Sequence, residues 1–516
     1  MALLFTLHVS ALAQEDYEYG VMPIFVFGEG GAWVGTGFVV GDGTYLVTTS
    51  DLVTESFSSA AKVTVKFPTV ISPYTGDYYR AEFVAKDTDL DVAVLRLAEK
   101  GLPAARVAGP ETFNRKPKPK IVAEKQLLST EDVSVRWPTV TYGPARSEKN
   151  PLNVEIAEWR SEMVAFCVQR GVKWLYLSKI SPEDGAPKGS PVVRRGEGIV
   201  GIYSAKFDIT LIASGREIPL RFGRCLPSFE FAPFLTKSGV PEADIYQGAH
   251  PSGERDKTAA DAFQRIYRAF SFIKSGNWKL AVEHAKALVE LRPQSAKAHM
   301  LLGVALAGGG ENEEALKTLD KAAELDPKLA DLRFSRAEAL FALQKDKEAE
   351  AAYRKAIEES PTEIRPVLRL AKLLSLDKER SAEAIALARK AVSMEPKSPG
   401  ARMSLGLRFK EAGQYDAAIQ SLNQALNLSP SWAGGHAALA ETYRAAGKMA
   451  EAEQEYRIIV EDNPRNPAAL FDLASFLADA DKKDEARKTL ADLEKLNPPK
   501  DMQEAIGKLK AKLGAE

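Results

Sequence analysis

The apolar positions of this chain change period part-way along it. Between residues 19 and 236 they fall in short alternating or β-branched runs: Ile24-Phe25-Val26-Phe27, Thr36-Gly37-Phe38-Val39-Val40, Lys62-Val63-Thr64-Val65-Lys66, Val92-Ala93-Val94-Leu95, Leu175-Tyr176-Leu177 and Ile199-Val200-Gly201-Ile202. Such runs predict strands, and Gly41-Asp42-Gly43 and Ser72-Pro73-Tyr74-Thr75-Gly76 supply turns between them. Many short strands within about 220 residues predict an all-β barrel or sandwich domain. From residue 262 to 498 the alternation gives way to a repeat spaced by about 34 residues. A proline closes each of seven units: Pro293, Pro327, Pro361, Pro396, Pro430, Pro464 and Pro498.

Other positions recur in phase with the prolines. Ala281, Ala315, Ala349, Ala384, Ala418, Ala452 and Ala486 supply a small residue where a second helix presses on a first. Leu302-Gly303, Leu405-Gly406, Leu439-Ala440 and Leu473-Ala474 give a large–small pair on the first helix. Gly276, Gly310, Gly413 and Gly447 mark the turn between helices, where a residue without Cβ takes positive φ. One interval is a residue longer, which places an insertion near Asp377–Ser381. These features resemble tetratricopeptide repeats (TPRs). The resemblance implies an all-α TPR solenoid over 262–498, closed by a capping helix within 499–516. It also implies a protein or peptide partner held in a groove lined by the first helices. The fifth position of each unit is Ile266, Met300, Phe334, Leu368, Met403, Ala437 and Phe471. Family members that clamp a carboxylate carry Lys and Asn at this row and at the ninth position; here the row is apolar, and Glu338, Lys372 and Glu441 add mixed charge. The ligand implied is an extended or helical segment with spaced apolar anchors, packing between repeats being the row's alternative role.

Composition narrows the partners. The 69 Lys+Arg and 70 Asp+Glu of the 516 residues nearly cancel, giving no electrostatic case for nucleic acid. No apolar run reaches the roughly 20 residues of a membrane-spanning helix. The run Ala2 to Ser10, followed by Ala11-Leu12-Ala13 and then Gln14-Glu15-Asp16, reads as a signal peptide over 1–13, although its start lacks Lys and Arg. A periplasmic or secreted location is therefore expected. The two cysteines, Cys167 and Cys225, make no disulfide framework, and their pairing is left open. No metal-spaced His/Cys cluster, phosphate loop or dinucleotide fingerprint occurs, so no metal or cofactor is expected. Ser238 to Lys257, rich in Gly, Pro and charge, reads as a linker over 237–258.

The order of motifs in the β region resembles a trypsin-like serine protease of the HtrA type. Gly35-Thr36-Gly37-Phe38-Val39-Val40 and then Tyr45-Leu46-Val47-Thr48-Thr49-Ser50-Asp51-Leu52-Val53 are similar to the strands leading to the family's catalytic histidine. Asp89-Leu90-Asp91-Val92-Ala93-Val94 resembles the block of the triad aspartate. Gly185-Ala186-Pro187-Lys188-Gly189-Ser190-Pro191, followed by Gly198 to Ile202, resembles the nucleophile block. Arg221 to Ser228 is similar to the last strand. The resemblance implies a chymotrypsin-like double β-barrel over 19–236. It puts Asp51 at the histidine position, Asp91 at the aspartate and Lys188 at the nucleophile. The chain's five histidines, His8, His250, His284, His299 and His436, all lie outside the barrel strands. Serine attack needs an imidazole that takes and returns the hydroxyl proton, which aspartate does poorly. Ser190 lies near, yet a lysine base at this spacing is unlike known Ser–Lys dyads. The implied reading is an exported adaptor in which a pseudoprotease is joined to a TPR array; the alternative is a degenerate but active endopeptidase recruiting substrates through the array. If the three positions converge, they place two carboxylates and one ammonium in a partly buried cleft, and Lys188 is expected to bridge Asp51 and Asp91 as a structural ion pair.

Overall fold

The computed structural model describes residues 20–514 except 29–30, 57–61, 65–67, 98–101, 105, 115–119, 124–126, 130–136, 147–153, 170–171, 179–187, 195–196, 214–215, 248 and 250–255. The signal peptide read over 1–13 lies outside the described residues. The chain divides into two compact units, Met1–Glu55 with Thr64–Ser335, and Ser56–Val63 with Arg336–Glu516.

The first unit begins with strands β1 (Val21–Gly28), β2 (Gly31–Val40) and β3 (Tyr45–Thr48). Two short strands, β4 (Thr54–Ser56) and β5 (Lys62–Thr64), precede β6 (Thr69–Ser72), β7 (Asp77–Asp87) and β8 (Val92–Leu97). Six of them close a barrel in the order β1-β2-β3-β8-β7-β6. Its filling is the inward half of each alternating run, with Met22, Ile24, Val26, Leu46, Ala93 and Leu95 all fully buried. Gly37 has to be glycine: a Cβ there would lie 2.4 Å from Leu46 and 2.8 Å from the Val47 carbonyl.

A second ring follows. After β9 (Lys120–Ala123) and β10 (Leu127–Ser129) come β11 (Trp137–Arg146), β12 (Val154–Gln169), β13 (Val172–Ser178), β14 (Pro191–Arg194), β15 (Gly198–Ala213) and β16 (Arg216–Pro227). Antiparallel pairings run β11–β12, β12–β13, β13–β16, β16–β15, β15–β14 and β14–β11, returning to the starting strand. The all-β double barrel is therefore present. One core joins the two barrels, with Val21, Phe38 and Val92 of the first packed with Val193, Ile199 and Leu226 of the second.

Helices α1 (Ser228–Lys237) and α2 (Glu242–Gln247) and the turn between them complete that core with Phe231, Leu235, Val240 and Ile245, each at most 1% exposed. The stretch read as a linker is thus folded over much of its length. Val107 N–H donates to the Ile245 carbonyl, and Ala249 pairs with Ala104 through both backbone bonds. Its Gly, Pro and charge content hid two apolar anchors that have no period to betray them.

Seven helix pairs follow: α3 (Ala259–Lys274) and α4 (Trp278–Leu291); α5 (Ala296–Gly308) and α6 (Asn312–Leu325); α7 (Leu332–Ala342) and α8 (Asp346–Glu359); α9 (Ile364–Leu374) and α10 (Ser381–Met394); α11 (Pro399–Glu411) and α12 (Tyr415–Leu428); α13 (Ala433–Ala445) and α14 (Met449–Asp462); α15 (Pro467–Asp479) and α16 (Lys483–Glu494). The in-phase alanines from Ala281 to Ala486 are all fully buried. A Cβ on Gly303 would meet Leu319 at 2.6 Å, and one on Gly406 would meet Leu422 at 2.7 Å, so helix approach sets the small residue. The inter-helix glycines have φ of 70–84°, and Gln344 and Asp481 hold the same corner at 58° and 59° without the glycine. The extra residue of the fourth unit is absorbed in a 3-10 turn at Lys378–Arg380. Helix α17 (Lys500–Lys512) covers the last pair, its Ile506 and Leu509 packing with Leu490, Leu493 and, beyond the helix, Leu513.

Candidate functional site

Asp51 follows the end of β3 in a turn closed by Thr54 N–H on the Asp51 carbonyl and by Thr54 Oγ1 on the Ser50 carbonyl. Asp91 sits in the β7–β8 turn with φ of 54°, a left-handed conformation that aspartate tolerates better than most side chains. Lys188 enters from the turn before β14. Gly189 beside it has φ of 84°, and a Cβ there would lie 2.1 Å from the Thr36 carbonyl of the first barrel. That contact needs glycine, and it is what brings the lysine of one barrel up to the carboxylates of the other.

The three positions do converge. Lys188 Nζ meets Asp51 Oδ2 at 2.6 Å, both side chains being 51% exposed. Asp91 is held differently: Ser50 Oγ donates to its Oδ1 at 2.9 Å and Ser204 Oγ to its Oδ2 at 3.2 Å. The lysine therefore pairs with one carboxylate rather than bridging two, and it does so with both partners half-exposed. Burial would raise the Asp51 pKa, but hydrogen bonds from Lys188 and Thr49, the lysine charge and the Leu52 N–H together outweigh it, and the carboxyl sits below its usual range. Asp91 goes the other way: burial first, then the Asp51 charge, hold it above its usual range despite the two serine hydroxyls and the lysine. The two carboxylates are electrostatically coupled, and the lysine relieves mainly the exposed one.

Ser190 is fully buried, and its Oγ has no hydrogen-bond partner among the described residues. Its backbone is tied into the ring, the Ser190 carbonyl accepting from Tyr203 N–H at 2.8 Å while Gly189 N–H donates to the Tyr203 carbonyl at 2.9 Å. Ser50 and Ser204 are the site residues that sequence reasoning missed. Ser50 adjoins Asp51 and was within reach; Ser204 stands beyond an ordinary strand run and carries no signal. Among the described residues no group of His, Cys, Asp and Glu could hold a metal, and no helix is long and apolar enough to cross a membrane. Cys225 is a free buried thiol whose pKa burial pushes well up, which makes it inert; the Cys167 side chain lies outside the described residues.

The fifth-position row is unevenly available. Ile266 is 1% exposed and Met300 8%. Phe334 is half-buried. Leu368, Met403, Ala437 and Phe471 are partly buried, each packed against a core between neighbouring helices. At the ninth position Glu338 accepts from Tyr353 Oη and pairs with Arg369 at 3.1 Å, so that charge is already engaged within the array.

A family model for the trypsin-like peptidase domain matches residues 35–202. Tetratricopeptide repeat models match 268–330, 309–364, 406–447 and 437–501. Among solved structures, a tetratricopeptide repeat protein from Parabacteroides merdae is 19% identical, covering 48% of this chain and 97% of its own, with a TM-score of 0.39. A TPR protein of Thermus thermophilus is 22% identical, covering 36% and 99%, with a TM-score of 0.32. Yeast Tom70 is 19% identical, covering 50% and 61%, with a TM-score of 0.37. No curated protein matches the chain. The chain is a trypsin-like peptidase domain followed by an array of tetratricopeptide repeats.

Proposed function

We propose that this protein is an exported scaffold that captures a protein or peptide through its repeats while its peptidase fold cuts nothing. The observation that carries the proposal is the Lys188–Asp51 pair at 2.6 Å. At the positions where the fold's chemistry needs a hydroxyl and an imidazole, an ammonium and a carboxylate instead satisfy each other. An ammonium offers no acyl-accepting oxygen, and a carboxylate held below its usual pKa is a weak base. The buried Ser190 hydroxyl provides no substitute nucleophile. The apolar run before Ala13 supports export. The repeats support protein binding, with the partly buried apolar row from Phe334 to Phe471 as the capturing surface.

The test uses the full chain and fluorescently labelled unfolded casein. No release above blank is expected, whereas release that scales with protein and disappears in Ser190→Ala contradicts the proposal. In parallel, Phe334→Ala should weaken partner capture with little loss of helix content by circular dichroism. Melting of the array in that variant would make Phe334 core and remove it from the capturing surface. Amino-terminal sequencing of the mature protein should begin at Gln14; a protein beginning at Met1 would refute export by this route.

A further inference from the structure

The face of α3 that carries Ile266 is not open. Phe270, four residues on and therefore on the same face, packs its ring 5.6 Å from Phe25 and 5.3 Å from Tyr78 of the first barrel. Tyr267 meets Phe25 edge-on at 5.4 Å. The polar contacts converge on one hairpin, the turn between β6 and β7. Arg292, just past α4, donates to the carbonyls of Gly76 at 2.6 Å and Thr75 at 2.9 Å, and to Asp256 at 2.6 Å. Tyr78 Oη donates to the Lys297 carbonyl at 2.8 Å, while the Lys297 ammonium pairs with Asp77 at 3.2 Å and lies 4.1 Å from the centre of the Tyr79 ring. Arg80 pairs with Asp331. Gly76, with φ of 60°, lets the turn sit so close that a Cβ would lie 2.2 Å from the Ala259 carbonyl.

We propose that this hairpin is a built-in ligand of the first two repeats, closing their groove face to external segments until it is released. An extended strand supplies the contacts, with adjacent aromatic rings preceded by an acid, Asp77-Tyr78-Tyr79, read by a cation over a ring and by an apolar helix face. A segment that replaces it in trans carries the same chemistry. This deepens the binding role proposed above by naming which repeats are occupied and what they recognise, and its first readout does not depend on that role.

The experiment follows hydrogen exchange in the full chain. Gly76→Ala drives a methyl into the contact, and Gly239→Ala is the control, because Gly239 has φ of 92° but open space around it. Protection of residues 72–79 and of α3 should fall together in Gly76→Ala and stay unchanged in Gly239→Ala. Tyr78→Ala, which deletes the ring from the hairpin side only, is the second variant and should act in the same direction. A synthetic peptide with the sequence of residues 72–82 should then bind the released variants about tenfold more tightly than the wild-type chain, whose site is filled in cis. Unchanged α3 protection in both variants, equal peptide affinity for wild type and variants, or no peptide binding to any of them overturns the proposal.

Discussion

Lys188→Ala removes one half of the Lys188–Asp51 pair, on which the proposed loss of peptidase chemistry rests. At 2.6 Å, with both side chains 51% exposed, Coulomb's law in water gives about 1.5 kcal/mol before any ordering cost. Holding a long lysine in one rotamer and screening by salt leave about 0.5 kcal/mol, within the range measured for exposed pairs. A buried bridge between two carboxylates would instead lose about 3 kcal/mol or more on truncation, so the two arrangements are well separated. The assay is a double-mutant cycle of Lys188→Ala and Asp51→Ala in urea. Its probe is the indole N–H resonance of Trp33, which donates to the Leu52 carbonyl at 2.7 Å beside the site. The sign with pH follows from the lowered Asp51 pKa. The coupling is fully present above the ordinary aspartate value and disappears as pH falls through the lower folded value. A coupling above about 2 kcal/mol, or one that survives full protonation of Asp51, would refute the half-exposed pair.

Asp91 should behave oppositely. Its folded pKa is raised, so its contribution to stability is present below the unfolded value and lost as pH rises through the folded one. Asp91→Asn, which keeps an acceptor for Ser50 or Ser204, should therefore leave neutral-pH stability within about 1 kcal/mol or raise it, as urea midpoints will show; a loss of about 3 kcal/mol would mean an essential ion pair. In the array, Gln344→Gly should stabilise by about 0.5–1 kcal/mol in thermal melts, because Gln344 has φ of 58° where other units use glycine. Asp481→Gly at the matching corner should give less, since aspartate tolerates this conformation better. In its charged form His436 donates from Nδ1 to Glu455 Oε2 at 2.6 Å and from Nε2 to the Pro430 carbonyl at 2.7 Å, and the Glu455 bond raises its pKa despite burial. Its contribution should be full below the ordinary histidine value and lost as pH rises through the raised one, so His436→Ala should lower the melting temperature more at pH about 5.5 than at about 9.

The array was legible because each unit repeats the same steric demand. Ala281 and its counterparts announce helix approach seven times over, and a proline ends each unit in register. Motif order was enough to bring Asp51, Asp91 and Lys188 together, since strand ends on two rings fix where those residues emerge. Which carboxylate the lysine takes was not legible, because that depends on the serines that surround Asp91 rather than on its place in a motif. Ser204 and Arg292 were invisible for a related reason. Each acts on a partner far off in sequence, Asp91 and the Thr75–Gly76 carbonyls, and neither belongs to any periodic pattern. The folding of Val240 and Ile245 onto the barrel core was missed because composition averages over single anchors.

The central proposal, that the peptidase fold holds no working nucleophile, is tested most directly by labelling the full-length protein with a fluorophosphonate probe. An ammonium paired to Asp51 and a buried Ser190 hydroxyl leave no activated oxygen, so no covalent adduct should appear by intact-mass spectrometry at any pH at which the barrels stay folded. A stoichiometric adduct on the wild-type chain that is absent from Ser190→Ala would contradict the account.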